Sequence, residues 1–156
     1  MKKIIIPILI LIAIIFFNAC SGYKPIFSSG NIELKISSHM VEGEKALGEK
    51  IYNNLNNLLK SKSDENFRKV DFFINITKTK SSTIKDDTGK IKEYKITLDA
   101  LVKIKDQTTN DKLMNKNITV FSSYKIQDNY SDTKKQENIT IENLINNIYQ
   151  EIFISL

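Results

Sequence analysis

The chain has 156 residues, which is the length of one domain rather than two. Its formal net charge is +5 at pH 7, but Lys2 and Lys3 belong to an N-terminal leader without acidic residues, which leaves 5 − 2 = +3 for the remainder. So small a charge argues against a nucleic-acid-binding protein and allows only a mild attraction to anionic lipid or glycolipid. Cys20 is the only cysteine, so no intramolecular disulfide can form and the domain must depend on its hydrophobic core.

Residues 1–19 have the pattern of a secretory signal peptide. Lys2 and Lys3 precede a nearly unbroken apolar run from Ile4 to Phe17. A transmembrane helix is the alternative, but a run of about 14 residues rises only about 21 Å, short of the ~30 Å hydrocarbon core. Pro7 weakens a permanent helix, and no cluster of Lys or Arg follows the run. We therefore predict a signal peptide that is removed after export.

The end of this run resembles a lipobox, the site at which bacterial lipoproteins are cleaved and lipidated. It reads Phe17-Asn18-Ala19-Cys20-Ser21. A buried thiol is the alternative for Cys20, and its position directly after a signal-like run disfavours that interpretation. We predict that Cys20 carries N-acyl and S-diacylglycerol groups, whose buried CH₂ groups contribute ~0.8 kcal/mol each and together anchor the chain permanently. The residue directly after Cys20 is Ser21 and not Asp, which resembles the sorting pattern of outer-membrane lipoproteins. It predicts a lipid-anchored protein on the periplasmic side of the outer membrane.

Residues 20–31 are predicted to form a lipidated, extended tether, and residues 32–156 a single periplasmic-facing domain. Pro25 disfavours a helix at the residue before it, and Ser28-Ser29-Gly30 is typical of a flexible loop. The domain is predicted to start with a strand in which apolar residues alternate with charged ones, namely Ile32, Leu34 and Ile36.

A first helix is predicted over about Glu42–Leu59. Its apolar residues fall on one stripe: Leu47, Ile51, Leu55, Leu58 and Leu59. Asparagines occupy much of the remaining surface, and Asn is a weak helix former. Packing of the stripe against the rest of the domain must therefore stabilise this helix.

Two long strands joined by a tight turn predict a hairpin. The first strand starts near Val70 with an apolar face formed by Val70, Phe72, Ile74 and Ile76, which continues as Lys78, Lys80 and Ser82. The second has an apolar face formed by Tyr94, Ile96, Leu98, Ala100, Val102 and Ile104. The connecting turn is Asp86-Asp87-Thr88-Gly89-Lys90, in which Gly89 can supply a positive φ. The hairpin is thus apolar at its base and polar on both faces near its tip.

A polar, turn-like linker at Asp106–Asn115 leads to a fourth predicted strand, Asn117–Ile126. Phe121 is predicted on one side of this strand and the other apolar residues on the opposite side: Ile118, Val120 and Tyr124. A last helix, with Ser131 or Asp132 as its N-cap, has apolar residues at spacings of three and four: Ile141, Leu144, Ile145, Ile148, Tyr149, Ile152 and Leu156. The order β-α-β-β-β-α predicts an α+β fold, a two-layer α/β sandwich with two helices packed on one face of a four-stranded sheet.

The residues offer little for catalysis, and we predict that the protein is not an enzyme and binds neither a metal nor a cofactor. His39 is the only histidine and is predicted in a surface loop between the first strand and the first helix, so no His-based metal cluster can form. The adjacent acids Asp86 and Asp87 fall in the turn, where Asp is favoured for structural reasons. The five glycines are scattered and form no phosphate-binding loop.

The lysines near the hairpin tip, between Lys78 and Lys92, allow two interpretations. They are ordinary solvated side chains at the end of a strand, or the tip inserts where both of its faces meet polar groups. A two-stranded hairpin that is polar on both faces is marginally stable by itself. The lumen of a large transmembrane β-barrel is polar and could surround it.

The start of the mature chain resembles the opening of the LptE family of LPS-assembly lipoproteins, Cys-Gly-Phe/Tyr-x-Pro-Leu-Tyr. It reads Cys20-Ser21-Gly22-Tyr23-Lys24-Pro25-Ile26-Phe27. Gly22, Tyr23 and Pro25 match, whereas Ser21 is inserted, and Ile26 and Phe27 replace the Leu and Tyr of the family. The predicted order of elements is also similar to the fold of that family.

This resemblance implies that the protein is a non-catalytic plug and assembly partner of an LptD-like outer-membrane β-barrel. It also implies that the protein and the barrel together insert lipopolysaccharide into the outer leaflet. It further implies that lipopolysaccharide binds to basic side chains near the hairpin tip; the candidates are Lys80, Lys85, Lys90 and Lys92. An alternative is an auxiliary lipoprotein subunit of a lipid-transporting ABC system. A periplasmic lipoprotein enzyme is a third possibility, which the missing catalytic residues disfavour.

Overall fold

The structure, a computed structural model, describes residues 34–60 and 67–156. The predicted signal peptide, Cys20 and the tether at residues 20–31 lie outside the described residues. All described residues belong to one compact unit. Its elements in chain order are β1 (Leu34–Gly43), α1 (Lys45–Lys60), β2 (Arg68–Lys85), β3 (Ile91–Asp106), β4 (Lys112–Lys125) and α2 (Tyr130–Ile154).

The four strands form one mixed sheet in the order β1-β2-β3-β4. β1 pairs with β2 in parallel, and the other two pairs are antiparallel. A parallel neighbour requires a crossover connection, and α1 lies within that crossover. α1 contacts β1 and β2, α2 contacts β3 and β4, and the helices contact each other. The predicted two-layer α+β architecture is therefore confirmed.

The core lies between the helices and one face of the sheet. The alternating residues predicted for the hairpin base are buried: Val70, Phe72, Ile74, Ile76, Ile96, Leu98, Ala100, Val102 and Ile104. They meet the stripes of both helices: Leu47, Ile51, Leu55, Leu59, Leu144, Ile145, Ile148 and Ile152. Leu58, predicted on the stripe of α1, is instead 41% exposed. Phe121 is 68% exposed on the opposite face of the sheet, on the side that the sequence predicted.

The predicted loop at His39 is wrong, because β1 continues to Gly43 and α1 begins only at Lys45. A β-bulge between Ile36 and Ser38 shifts the register against β2 by one residue. The bulge reverses which alternate positions face the helices. His39 consequently stacks on the Tyr52 ring of α1 with 3.8 Å between ring centroids.

Two further boundaries differ from the predictions. β4 begins at Lys112 rather than Asn117, so Met114 also belongs to the core. Residue Asn129 precedes α2 in an extended conformation and makes no side-chain capping bond, so neither Ser131 nor Asp132 is the N-cap. The Thr133 hydroxyl instead accepts a hydrogen bond from the backbone N–H of Gln127 at 2.9 Å. That bond ties the start of α2 to the preceding loop.

Candidate ligand-binding surface at the hairpin

The end of the hairpin extends beyond its neighbouring strands. β1 ends opposite Ile76, whereas β2 continues to Lys85. β4 ends at Lys125 opposite Glu93, so the last part of the hairpin has no neighbouring strand among the described residues. Most side chains of β2 beyond Ile76 are exposed. Beyond Ile76 the outer edge of β2 is therefore unpaired in the described part of the chain, whereas only the tip, residues 84–92, extends beyond β4 as a two-stranded projection.

The tip of the hairpin is a closely hydrogen-bonded turn. Gly89 has a φ of +82°, and its N–H donates to the carbonyl of Asp86 at 2.8 Å. One carboxylate oxygen of Asp86 accepts from the Thr88 hydroxyl at 2.6 Å and from the Lys90 N–H at 3.0 Å. Hydrogen bonds from Thr88 and from the Lys90 backbone lower the pKa of Asp86 to about 2. The Asp86 side chain is therefore ionised at neutral pH and organises the turn that the sequence predicted.

Three of the four predicted ligand lysines lie at this tip. Lys92 Nζ is 3.2 Å from the second carboxylate oxygen of Asp86. Lys85 and Lys90 are exposed, and among the described residues neither ammonium pairs with a carboxylate. Between residues 85 and 93 the three lysines are balanced by Asp86, Asp87 and Glu93. The tip thus presents individual cations rather than a strongly positive field.

Lys80 lies apart from the other three, where β2 still belongs to a three-stranded sheet with β3 and β4, and on the face that carries the helices. Five residues of extended strand separate it from Lys85, which is about 17 Å. Lys80 Nζ lies 3.1 Å from the Glu137 carboxylate of α2 and 4.3 Å from the centroid of the Tyr94 ring. It also lies 5.4 Å from the centroid of the Tyr124 ring. The structure therefore divides the predicted candidates between two locations.

Glu137 completes a group that we call the Lys80 cluster, formed by Lys80, Lys134, Glu137, Tyr94 and Tyr124. Lys134 Nζ lies 3.3 Å from the same Glu137 carboxylate, whose side chain is only 12% exposed. Burial by itself would raise the pKa of Glu137, but hydrogen bonds from the two ammonium groups lower it below its usual value. Glu137 is therefore a carboxylate held between two cations.

Lys80 and Tyr124 also influence each other's ionisation. Burial opposes the charged form of Lys80, but the Tyr124 hydroxyl and the Glu137 carboxylate raise its pKa above the usual value. The pKa of Tyr124 is raised chiefly by burial. The buried Tyr124 hydroxyl lies close to both the Lys80 ammonium and the Glu137 carboxylate, but no described group forms a well-directed hydrogen bond with it. The cluster therefore contains a hydroxyl with unused hydrogen-bonding capacity.

The sequence interpretation missed Glu137, although two signals point to it. Lys80 continues the core face of β2, and a cation in such a position needs a partner. Glu137 precedes Ile141 by four residues and so lies on the stripe by which α2 faces the sheet.

In residues 34–60 and 67–156, no three His, Cys, Asp or Glu side chains come together as metal ligands. No described helix is long and apolar enough to cross a membrane.

Comparison with known proteins shows the fold. No protein-family model matches the chain, and no curated protein sequence matches it significantly. Its structure is similar to that of rare lipoprotein B from Shewanella oneidensis, with a TM-score of 0.55, 10% identity, and 76% of this chain and 92% of that chain covered. It is also similar to that of lipoprotein B from Nitrosomonas europaea, with a TM-score of 0.55, 13% identity, and 84% of this chain and 87% of that chain covered. A minor lipoprotein from Acinetobacter baumannii is similar with a TM-score of 0.51 and 15% identity, and 80% of this chain and 92% of that chain are covered. The chain thus has a fold that is found in several bacterial lipoproteins.

Proposed function

We propose that this protein is a non-catalytic outer-membrane lipoprotein that plugs and helps to assemble a large LptD-like β-barrel. In this role it takes part in inserting lipopolysaccharide into the outer leaflet. The observation that carries the proposal is the polar end of the hairpin, in which β2 extends beyond β1 as an edge unpaired among the described residues and the tip at residues 84–92 extends beyond β4. The fold shared with bacterial lipoproteins supports it, as do the sequence features around Cys20.

The hairpin has an unpaired backbone edge that a polar enclosure would satisfy. After β1 ends, the edge of β2 from Thr77 to Lys85 has no neighbouring strand in the described part of the chain. Exposed edges of this kind are usually protected by charged residues, and this one carries Lys78, Lys80 and Lys85. A barrel lumen lined by polar side chains would provide hydrogen-bonding partners for such an edge and would exclude other chains from it.

The tip lysines fit contacts with phosphate groups of lipopolysaccharide. An ammonium group acts as a compact point charge toward phosphate. Lys85 and Lys90 are the exposed cations of the tip that have no carboxylate partner among the described residues. Because the tip is neutral as a whole, we expect recognition by local ion pairs, whose strength falls with increasing salt.

Affinity capture of the full lipidated chain from a detergent-solubilised envelope tests the proposal. We expect a very large β-rich outer-membrane protein to co-purify in stable amounts. A variant in which residues 84–92 are replaced by an Asn-Gly turn should keep the fold, since those residues lie outside the core, and should lose this partner. Capture of an inner-membrane permease with its solute-binding component would instead support the auxiliary transport subunit. Absence of a large barrel would refute the proposed role.

A Cys20→Ala variant tests the anchor separately. Without the thiol the chain cannot receive S-diacylglycerol and is not cleaved at this site, so we expect it to be lost from the outer-membrane fraction. Retention of this variant in the outer membrane in a strain that lacks the barrel would contradict lipidation at Cys20.

A further inference from the structure

The Lys80 cluster joins the polar part of β2 to a part of α2 that is otherwise weakly attached. Among the first ten residues of α2, from Tyr130 to Ile139, only Thr133 and Glu137 are partly buried, and the rest are exposed. The continuous buried stripe of the helix begins at Thr140. Glu137 is therefore the main side chain by which this helical segment contacts the sheet.

The surroundings of the Glu137 carboxylate have the composition of an anion site. Two ammonium groups, those of Lys80 and Lys134, lie within 3.3 Å of its oxygens. The Tyr124 hydroxyl is buried there, with Tyr124 only 5% exposed, and lacks a well-directed hydrogen bond from any described group. The Glu137 carboxylate lies close to this hydroxyl but does not satisfy it with a well-directed hydrogen bond.

We propose that Lys80, Lys134 and the Tyr124 hydroxyl form a phosphate-binding site that the protein's own Glu137 carboxylate occupies when no ligand is bound. A phosphate ester carries up to two charges and three acceptor oxygens, so it can accept from both ammonium groups and from the hydroxyl together. Lys80 is about a third exposed and Lys134 is half exposed, which leaves an approach from solvent. Binding of phosphate displaces Glu137 and loosens the segment from Tyr130 to Ile139.

The ligand class is a phosphate ester, and its biological source rests on the proposed function, in which that source is the phosphate of lipopolysaccharide. The site is distinct from the hairpin tip, about 17 Å away along β2. Because the Glu137 carboxylate competes with phosphate for the same cations, removing this carboxylate must raise the affinity of the protein for phosphate. A surface lysine without such a competitor would show no such gain.

The decisive variant is Glu137→Gln, measured on the whole mature chain in detergent against purified lipopolysaccharide and, in a second series, inorganic pyrophosphate. We expect its affinity to exceed that of the wild type by roughly fivefold or more, the lower end of usual coupling strengths, since the competing pair is partly exposed. The matched control is Glu142→Gln, because Glu142 lies on the same helix and pairs with Lys50 of α1. Both variants change the net charge equally, so a general electrostatic effect would appear in both.

Two further measurements complete the test. Adding Lys80→Met to Glu137→Gln should remove the gain, and saturating pyrophosphate should speed hydrogen exchange in residues 130–139 of the wild type while residues 141–154 stay protected. A gain with both ligands identifies phosphate itself as the ligand, and a gain with lipopolysaccharide alone identifies the glycolipid phosphate. Equal affinities of Glu137→Gln and Glu142→Gln for both ligands would overturn the inference. Because no barrel is present in these assays, their outcome is independent of the capture experiment.

Discussion

Gly48 lies where α1 closely approaches the sheet, and replacing it with alanine should destabilise the protein. A Cβ atom at this position would lie well inside 3.0 Å of the Val41 side chain, closer than real Cβ contacts come. It would also reach ordinary van der Waals contact, 3.5 Å, with Ile74 and Ile76. The helix must therefore move away from the sheet, or Val41 must change its rotamer.

Two opposing effects decide the size of the change. Alanine favours a helix over glycine by about 0.8–1.0 kcal/mol. Overpacking a well-filled core costs about 1–3 kcal/mol, and the β-branched side chain of Val41 has few alternative rotamers. We expect the cost of overpacking to exceed the gain in helix propensity, so Gly48→Ala should lower the free energy of unfolding by about 1 kcal/mol.

Urea denaturation of the domain, followed by circular dichroism, measures this change. The control is a double-mutant cycle with Val41→Ala, which removes the methyl groups that the new Cβ would strike. In that background Gly48→Ala should become neutral or stabilising, because only the helix-propensity gain is left. If Gly48→Ala stabilised the wild type, or had the same effect in both backgrounds, the close packing of α1 on β1 would be wrong.

Two further predictions concern charged groups. Hydrogen bonding from Arg68, together with backbone N–H donors, lowers the pKa of Asp106 to about 2. Its stabilisation should therefore be complete above the unfolded pKa of ~3.9 and be lost as the pH falls through about 2. Asp106→Asn should be less stable than the wild type at pH 7 and should show a flatter fall in melting temperature on acidification; parallel pH profiles would contradict this. At the hairpin tip, the combined replacement of Lys85, Lys90 and Lys92 by alanine should leave the melting temperature and membrane anchoring unchanged and should weaken lipopolysaccharide binding. Unchanged binding would identify these lysines as ordinary solvated side chains.

The local patterns of the sequence were sufficient for the architecture. Strict alternation from Val70 to Ile76, and again along β3, predicts the hairpin because successive side chains of a strand point to opposite faces. Gly89 marks the turn because the chain needs a positive φ there. The spacing of three and four in α2 identifies its buried stripe. Each of these signals is read from residues that are near one another in the chain.

The tertiary structure decided what each polar residue contacts. Because of the bulge in β1, the His39 side chain points toward the helices. The alternating pattern of the sequence does not show where such an extra residue is inserted. Lys80 and Glu137 are separated by 57 positions in the chain, and only the pairing of β2 with β3 and the docking of α2 bring them together. By sequence Lys80 and Lys85 are equivalent members of one lysine-rich strand. Their environments differ because the helical layer lies over Lys80 and not over Lys85. Packing, and not residue type, therefore decides that Lys80 pairs with Glu137 while Lys85 remains exposed.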